Sequence, residues 1–344
     1  MNYFQTSVKL LCGLFISTLF FLPYSVSASI PTLQDSFKRA PQTKSASRAP
    51  QIVKKTSLPV LGIYRDISLK RRGISPATNN SDRKIKRKIS ARSAIIIDAV
   101  TGKTLFSRAP DRPRQPASTI KVITGMIAMK SLSETDKVAV SPKAARQPRS
   151  KIYLDHKKNY KAADLIQAVL LASANDASVA LAEKIAGNEK EFAQMMTLRA
   201  RLWGAKNTIC QTASGLTAKG QQSTARDLAT IFRHVMADDD FAAIMKKTKA
   251  RTTRGKLLRN HNKALWQIKG AEGGKTGYTN KARQTYVGKF KRGGNEIIVA
   301  IMGSETMWTD IKRLVEYGFT HSFANNSVPV DNKSAQPAQL IAGR

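Results

Sequence analysis

The sequence predicts an α+β fold whose sheet is assembled from both ends of the ordered region, with a lobe of helices inserted between them. Three observations carry this expectation. Apolar, β-branched runs bounded by turn residues occur near residues 94–106 and return after residue 263. Between them, from Ser118 to Met236, apolar residues recur at helical spacing and are stopped by glycines. The apolar fraction, 42% of 344 residues, is enough for a packed core in part of the chain.

The first stretch differs in kind. Lys9 precedes an apolar run over residues 10–22, Pro23 ends it, and Val26-Ser27-Ala28 is a small-residue cleavage pattern. Residues 1–28 therefore read as a secretory signal peptide, with an apolar run too short to span a membrane. The protein is expected to be exported, to the periplasm or cell envelope. Residues 29–92 are dominated by Pro, Ser, Thr, Lys and Arg and are expected to form a basic, disordered segment.

The chain carries 58 Lys+Arg against 23 Asp+Glu, a net charge of +35. Such a balance concentrates anionic partners. No nucleic-acid-binding motif accompanies it, so nucleic acid is not expected. An anionic envelope surface met through residues 29–92 and a merely solvated basic surface remain the alternatives. Cys12 and Cys210 are the two cysteines, and removal of the signal leaves one. Cys210 reads as a buried structural thiol. His156, His234, His261 and His321 are scattered without metal-ligand spacing, so neither a metal nor another cofactor is expected.

Order is expected from residue 93 to 320. Residues 94–99 read as a strand, Thr101-Gly102 as its turn and 103–106 as the returning strand. A Pro-rich loop, 108–115, leads to a helix that opens at Pro116, where a missing N–H is not needed. Residues 137–140 are extended. Helices are expected over 162–171, 176–185 and 191–203, and from a cap at Ser223 to Met236. Strand character is read over 263–268, and 285–290 with 296–302 flank Arg292-Gly293-Gly294-Asn295 as a hairpin. Residues 310–317 form a closing helix, and 321–344 a polar tail.

The chemistry centres on Ser118-Thr119-Ile120-Lys121. Residues i and i+3 share a helix face, which brings the lysine amine near the serine hydroxyl. A serine is a weak nucleophile until a base takes its proton. Burial and a neighbouring positive charge would lower the pKa of Lys121 enough to make it that base. Alone, Ser-x-x-Lys is a pattern that chance produces in a lysine-rich chain. Two further motifs fall where a groove between lobes would need them: Ser173-Ala174-Asn175 between two helices, and Lys275-Thr276-Gly277 at the start of a strand. Taken singly, Ser173 and Asn175 would be ordinary helix caps and Lys275 a solvated strand lysine.

The ordered trio is the one shared by class A β-lactamases and penicillin-binding proteins. Together with residues 165–183, 212–216, 223–228 and 274–279, it resembles the low-molecular-mass penicillin-binding proteins, the D-alanyl-D-alanine carboxypeptidases of serine peptidase family S11. The resemblance implies an antiparallel sheet flanked by helices. It implies cleavage of the terminal D-Ala from a peptidoglycan pentapeptide through an acyl-enzyme on Ser118, and inhibition by β-lactams. By that resemblance Lys121 accepts the serine proton, Ser173 relays it to the leaving D-Ala, and Asn175 orients Lys121. Lys275 and Thr276 meet the terminal carboxylate, Gly277 lets the substrate lie close, and the N–H groups of Ser118 and Tyr278 form the oxyanion hole.

Lys281-Ala282-Arg283-Gln284 departs from the small, Gly-containing loop usual in the family, and offers Arg283 as an extra carboxylate contact. The chain is expected to be too short for the second domain and membrane anchor of larger relatives. A β-lactamase of the same fold would need Glu-x-x-x-Asn, which no glutamate here provides. A non-catalytic basic module binding envelope polyanions is the other rival, but such a module has no use for Ser118, Lys121 and Lys275 together.

Overall fold

The computed structural model describes residues 80–326. The signal peptide, residues 29–79 of the basic segment and residues 327–344 of the tail lie outside the described residues.

Helix α1 (Asn80–Lys88) leads to the hairpin β1 (Ser93–Asp98) and β2 (Thr104–Arg108). A 3-10 turn, Ala117–Ile120, runs into α2 (Lys121–Ser131). The lobe continues through β3 (Lys137–Ala139), α3 (Pro142–Ala145), β4 (Asn159–Lys161), α4 (Ala162–Leu170), α5 (Asn175–Ala186) and α6 (Glu189–Leu202). Then come α7 (Ala225–Val235), α8 (Asp239–Lys246), the small hairpin β5 (Lys249–Arg251) and β6 (Leu257–Arg259), and α9 (Ala264–Gln267). Strands β7 (Ala271–Thr279), β8 (Arg283–Arg292) and β9 (Asn295–Ser304) and helix α10 (Met307–Asn326) close the fold.

The main sheet is antiparallel in the order β2-β1-β9-β8-β7, so strands from the two ends meet where β1 pairs with β9. Its apolar runs do not alternate with polar residues because both faces are buried. Ile95 and Ile97 of β1, with Ile298, Ala300 and Met302 of β9, join the core shared with the helical lobe. Ala94 and Ile96, with Ile297, Val299 and Ile301, pack into a second core under α10. The β8–β9 turn is Gly293-Gly294, both at positive φ, as a two-residue hairpin turn requires.

Several expectations are corrected. The expectation of disorder over 29–92 fails at residues 80–88, which are helical. Ile85 and Ile89, one turn apart, are buried in the α10 core. The Asp310 carboxylate accepts the N–H groups of Ser90 (2.9 Å) and Ala91 (2.8 Å), and Arg108 donates to the carbonyl of Ile89 (2.9 Å). None of these partners is local in sequence. Residues 263–268 form no strand but contain α9, since Asn262 O accepts from Leu265 N in a turn. Helix α10 runs past residue 320 to Asn326, so the tail does not begin at 321. The cap of α7 is Thr224, whose hydroxyl accepts from Asp227 N, while Ser223 bonds the Thr208 hydroxyl. Lys275-Thr276-Gly277 lies in the middle of β7 rather than at its start.

Candidate active site

Ser118 is half-buried in the 3-10 turn, and its neighbour Ala117 has φ 51°, in the left-handed region. That conformation is disfavoured for a residue with a Cβ and persists only when the surroundings impose it. Here they do. The Pro116 carbonyl accepts from the hydroxyls of both Thr119 (2.6 Å) and Thr285 (2.9 Å), tying the turn to itself and to β8. Gly215 lies so close that a Cβ there would meet Ala117 O at 2.0 Å.

Lys121, at the first turn of α2, is fully buried. Its Nζ lies 3.0 Å from Ser118 Oγ, 2.7 Å from Asn175 Oδ1 and 2.5 Å from the Ser214 carbonyl. Burial first, and then the charge of Lys275, hold this amine well below the ordinary lysine range, against the opposing pull of Asp176 and Glu189. In its neutral form the amine would give its two N–H groups to the carbonyl oxygens of Asn175 and Ser214, leaving its lone pair for the Ser118 hydroxyl proton. The orientation of the Asn175 amide is set on its other side, where Nδ2 donates to Pro148 O (3.0 Å).

Ser173 connects α4 to α5 with φ 58°, again left-handed, and is neither helix's cap. Its Oγ accepts from Lys275 Nζ at 2.9 Å. Asn175 is the first residue of α5, and its backbone N–H donates to Ser150 O (2.7 Å). The next residue, Asp176, is buried and accepts from Ile152 N and Leu154 N (both 3.1 Å), which anchors the loop that approaches Asn175. Lys275 is also buried, and burial pushes its amine down to about 7. His261, beside both lysines, is pushed down to about 4, by burial first and then by the charges of Lys275 and Lys121.

Strand β7 is the edge of the sheet nearest this cluster. A groove of about 850 Å³ runs along it, lined by Ser118, Ser173, Asn175, Thr276, Gly277 and Tyr278, with no acidic side chain among its lining residues. Lys121 and Lys275 are bonded from beneath to residues of its floor. Gly277 is a close approach: a Cβ there would meet Thr285 Oγ1 at 2.5 Å and Ser118 N at 2.8 Å. The residues expected from the three motifs therefore stand around one groove. Arg283 does something else, since its Nε donates to Glu305 at 3.0 Å in an exposed ion pair.

Sequence reading missed the Ser214 and Pro148 carbonyls, because backbone acceptors leave no signature in residue type. It also missed Thr285 and His261, which carry no local motif. Gly215 lay inside the stretch 212–216 but had no assigned task. Cys210, away from the groove, is buried, and burial pushes its thiol up to about 12.

Residues 78–306 match the family model of the D-alanyl-D-alanine carboxypeptidases, peptidase S11. A D-alanyl-D-alanine carboxypeptidase of Mycobacterium tuberculosis is 35% identical over 240 residues, covering 67% of this chain and 82% of that protein. Carboxypeptidases of Bacillus subtilis and Escherichia coli are 32% and 33% identical, and the matched regions cover 58% and 65% of their lengths. Among solved structures, the M. tuberculosis D-alanyl-D-alanine carboxypeptidase superposes with TM-score 0.64 at 33% identity, over 67% of this chain and 91% of that one. Ampicillin-bound penicillin-binding protein D2 of Listeria monocytogenes gives 0.62 at 27% identity, over 67% and 98%.

Proposed function

Because the chain belongs to the D-alanyl-D-alanine carboxypeptidase family of S11 peptidases, we propose that it removes the terminal D-Ala from peptidoglycan pentapeptide stems through an acyl-enzyme on Ser118. The observation that carries the reading is Lys121 Nζ, buried and 3.0 Å from Ser118 Oγ. Ser118 Oγ attacks the carbonyl carbon of the penultimate D-Ala while Lys121 takes its proton. The oxyanion forms against the backbone N–H groups of Ser118 and Tyr278. The C–N bond then breaks, and the leaving amine takes a proton from Ser173, which is replaced by the proton that Lys121 took from Ser118. Lys275 donates into Ser173 Oγ, so the serine's own proton is free to point elsewhere. Water releases the shortened peptide from Ser118.

Thr276 presents its side chain to the groove for the terminal carboxylate, while Lys275 acts from behind Ser173 through its charge. Peptidoglycan lies outside the cytoplasm, which agrees with export by the signal peptide of residues 1–28 and residence in the periplasm or envelope. The basic segment 29–92 would hold the enzyme near an anionic envelope surface. β-Lactams, which present a strained acyl group to the same serine, are the expected inhibitors. The groove offers no carboxylate to activate a deacylating water, which disfavours a β-lactamase.

Intact-protein mass after exposure to penicillin, with D-Ala release from a pentapeptide, tests the reading. A lasting adduct on the wild type and none on Ser118→Ala, together with D-Ala release, is expected. No adduct and no D-Ala would overturn it, and rapid turnover of penicillin would favour the β-lactamase.

A further inference from the structure

The groove extends well beyond the catalytic cluster, and its extension is basic. Arg149, from the loop anchored by Asp176, Lys249 of β5, Arg259 of β6 and Lys263 ahead of α9 all line it. None of the four makes an ion pair with a carboxylate among the described residues, and no acid lines the groove. The β5–β6 pair adds a physical oddity. Lys249 and Arg259 are direct cross-strand partners, and so share one face of the hairpin. Like charges placed opposite each other destabilise a ladder. An oppositely charged residue at either position would remove that repulsion. A second hollow of about 320 Å³ borders the same two side chains and Arg251. Trp266, 55% exposed on α9, adds an exposed apolar surface to the lining of the groove.

One terminal carboxylate does not need this much positive charge, because Thr276 and Lys275 already serve it. Resting on the carboxypeptidase reading, we propose that Lys249, Arg259 and Arg149 form a subsite for further carboxylates upstream of the D-Ala-D-Ala end. The enzyme then selects stem peptides with free acidic side chains over their amidated counterparts. Carboxylates entering between Lys249 and Arg259 relieve the repulsion between these cross-strand partners, while Trp266 packs on the aliphatic part of the peptide.

The test uses two synthetic peptides identical except that the upstream residues carry carboxylates in one and carboxamides in the other. D-Ala release gives kcat/KM for each. The acidic peptide is expected to be preferred about tenfold by the wild type, as a few charge-assisted contacts would give. The preference is expected to shrink at about 0.5 M salt, where exposed charges are screened. In K249Q/R259Q the acid-to-amide ratio falls toward one, and the thermal unfolding midpoint checks that the variant is folded. Equal kcat/KM for the two peptides in the wild type, or an unchanged ratio in the variant, would overturn the subsite alone. Release from neither peptide would overturn the carboxypeptidase reading, and the subsite with it.

Discussion

The Asn175 side chain holds Lys121 from one end and the chain at Pro148 from the other: Oδ1 accepts from Lys121 Nζ at 2.7 Å, and Nδ2 donates to Pro148 O at 3.0 Å. This amide orients the lysine without placing a negative charge on it. Asn175→Asp preserves the size but introduces a carboxylate, which stabilises the protonated amine and disables the base. The rate of penicillin acylation at neutral pH is expected to fall by on the order of a hundredfold, as loss of a general base does. The acidic limb of its pH profile is expected to move to higher pH. An unchanged limb would mean that Asn175 does not control Lys121.

The two lysines set opposite limbs of the pH profile. Lys121 must be neutral and lies well below the ordinary range, so it shapes the acidic limb. Lys275 must be charged, and its amine is pushed down to about 7, so kcat/KM of the free enzyme is expected to decline above that pH. A bound carboxylate favours the charged lysine, so the corresponding limb in kcat is displaced upward. In Lys275→Gln the alkaline limb disappears and the acidic limb rises, because the charge that depressed Lys121 is gone.

Stability carries the same signature. The folded Lys275 amine titrates at about 7 and an unfolded one at about 10.4, so the unfolded chain binds more protons between those values. This residue's contribution to stability therefore rises with pH across that window. The unfolding midpoint of the wild type relative to Lys275→Gln is expected to climb from pH 7 to 9. A flat difference would place the amine elsewhere.

Gly277→Ala tests the close approach of β7 to the nucleophile. The added methyl would lie 2.8 Å from Ser118 N and 2.5 Å from Thr285 Oγ1. Acylation is expected to drop about a hundredfold or more, as when an oxyanion donor is lost. Relief of the overlap is expected to cost about 1–3 kcal/mol in chemical denaturation. Full acylation would show that the amide of Ser118 is not used.

Helix α1 makes a prediction about stability alone. Ile89, the residue directly after α1, is 5% exposed in the core beneath α10 and pins the helix's end there. Ile89→Ala is expected to cost about 2–4 kcal/mol in urea unfolding while leaving penicillin acylation intact. No loss would mean that the helix is not docked in solution.

Strand, turn and helix segments were legible where the signal is local: the β-branched run after Ser93, the Gly293-Gly294 turn and the glycines, Gly187 and Gly204, that end helices. The three motifs were legible because reactive residue types recur in fixed order. Helix α1 was not, since Asn80–Lys88 is basic enough to read as disordered, and its Ile85 and the following Ile89 share a core with α10, more than 200 residues away. The short α9 was misread as a strand, because an apolar run of a few residues suits either state.

Sequence by itself determined the family resemblance, the candidates Ser118, Lys121, Ser173, Asn175 and Lys275, and a sheet drawn from both chain ends. Only the tertiary structure decided what state those groups are in. Desolvation and the neighbouring charge, not residue type, hold the Lys121 amine well below the ordinary lysine range, and its acceptors include an amide 54 residues away and a backbone carbonyl 93 residues away. The cations of the extended groove likewise come from a loop, a hairpin and a turn that have no pattern in common. Local periodicity encodes which face of an element is buried, but a site's electrostatics depend on what the fold brings against it.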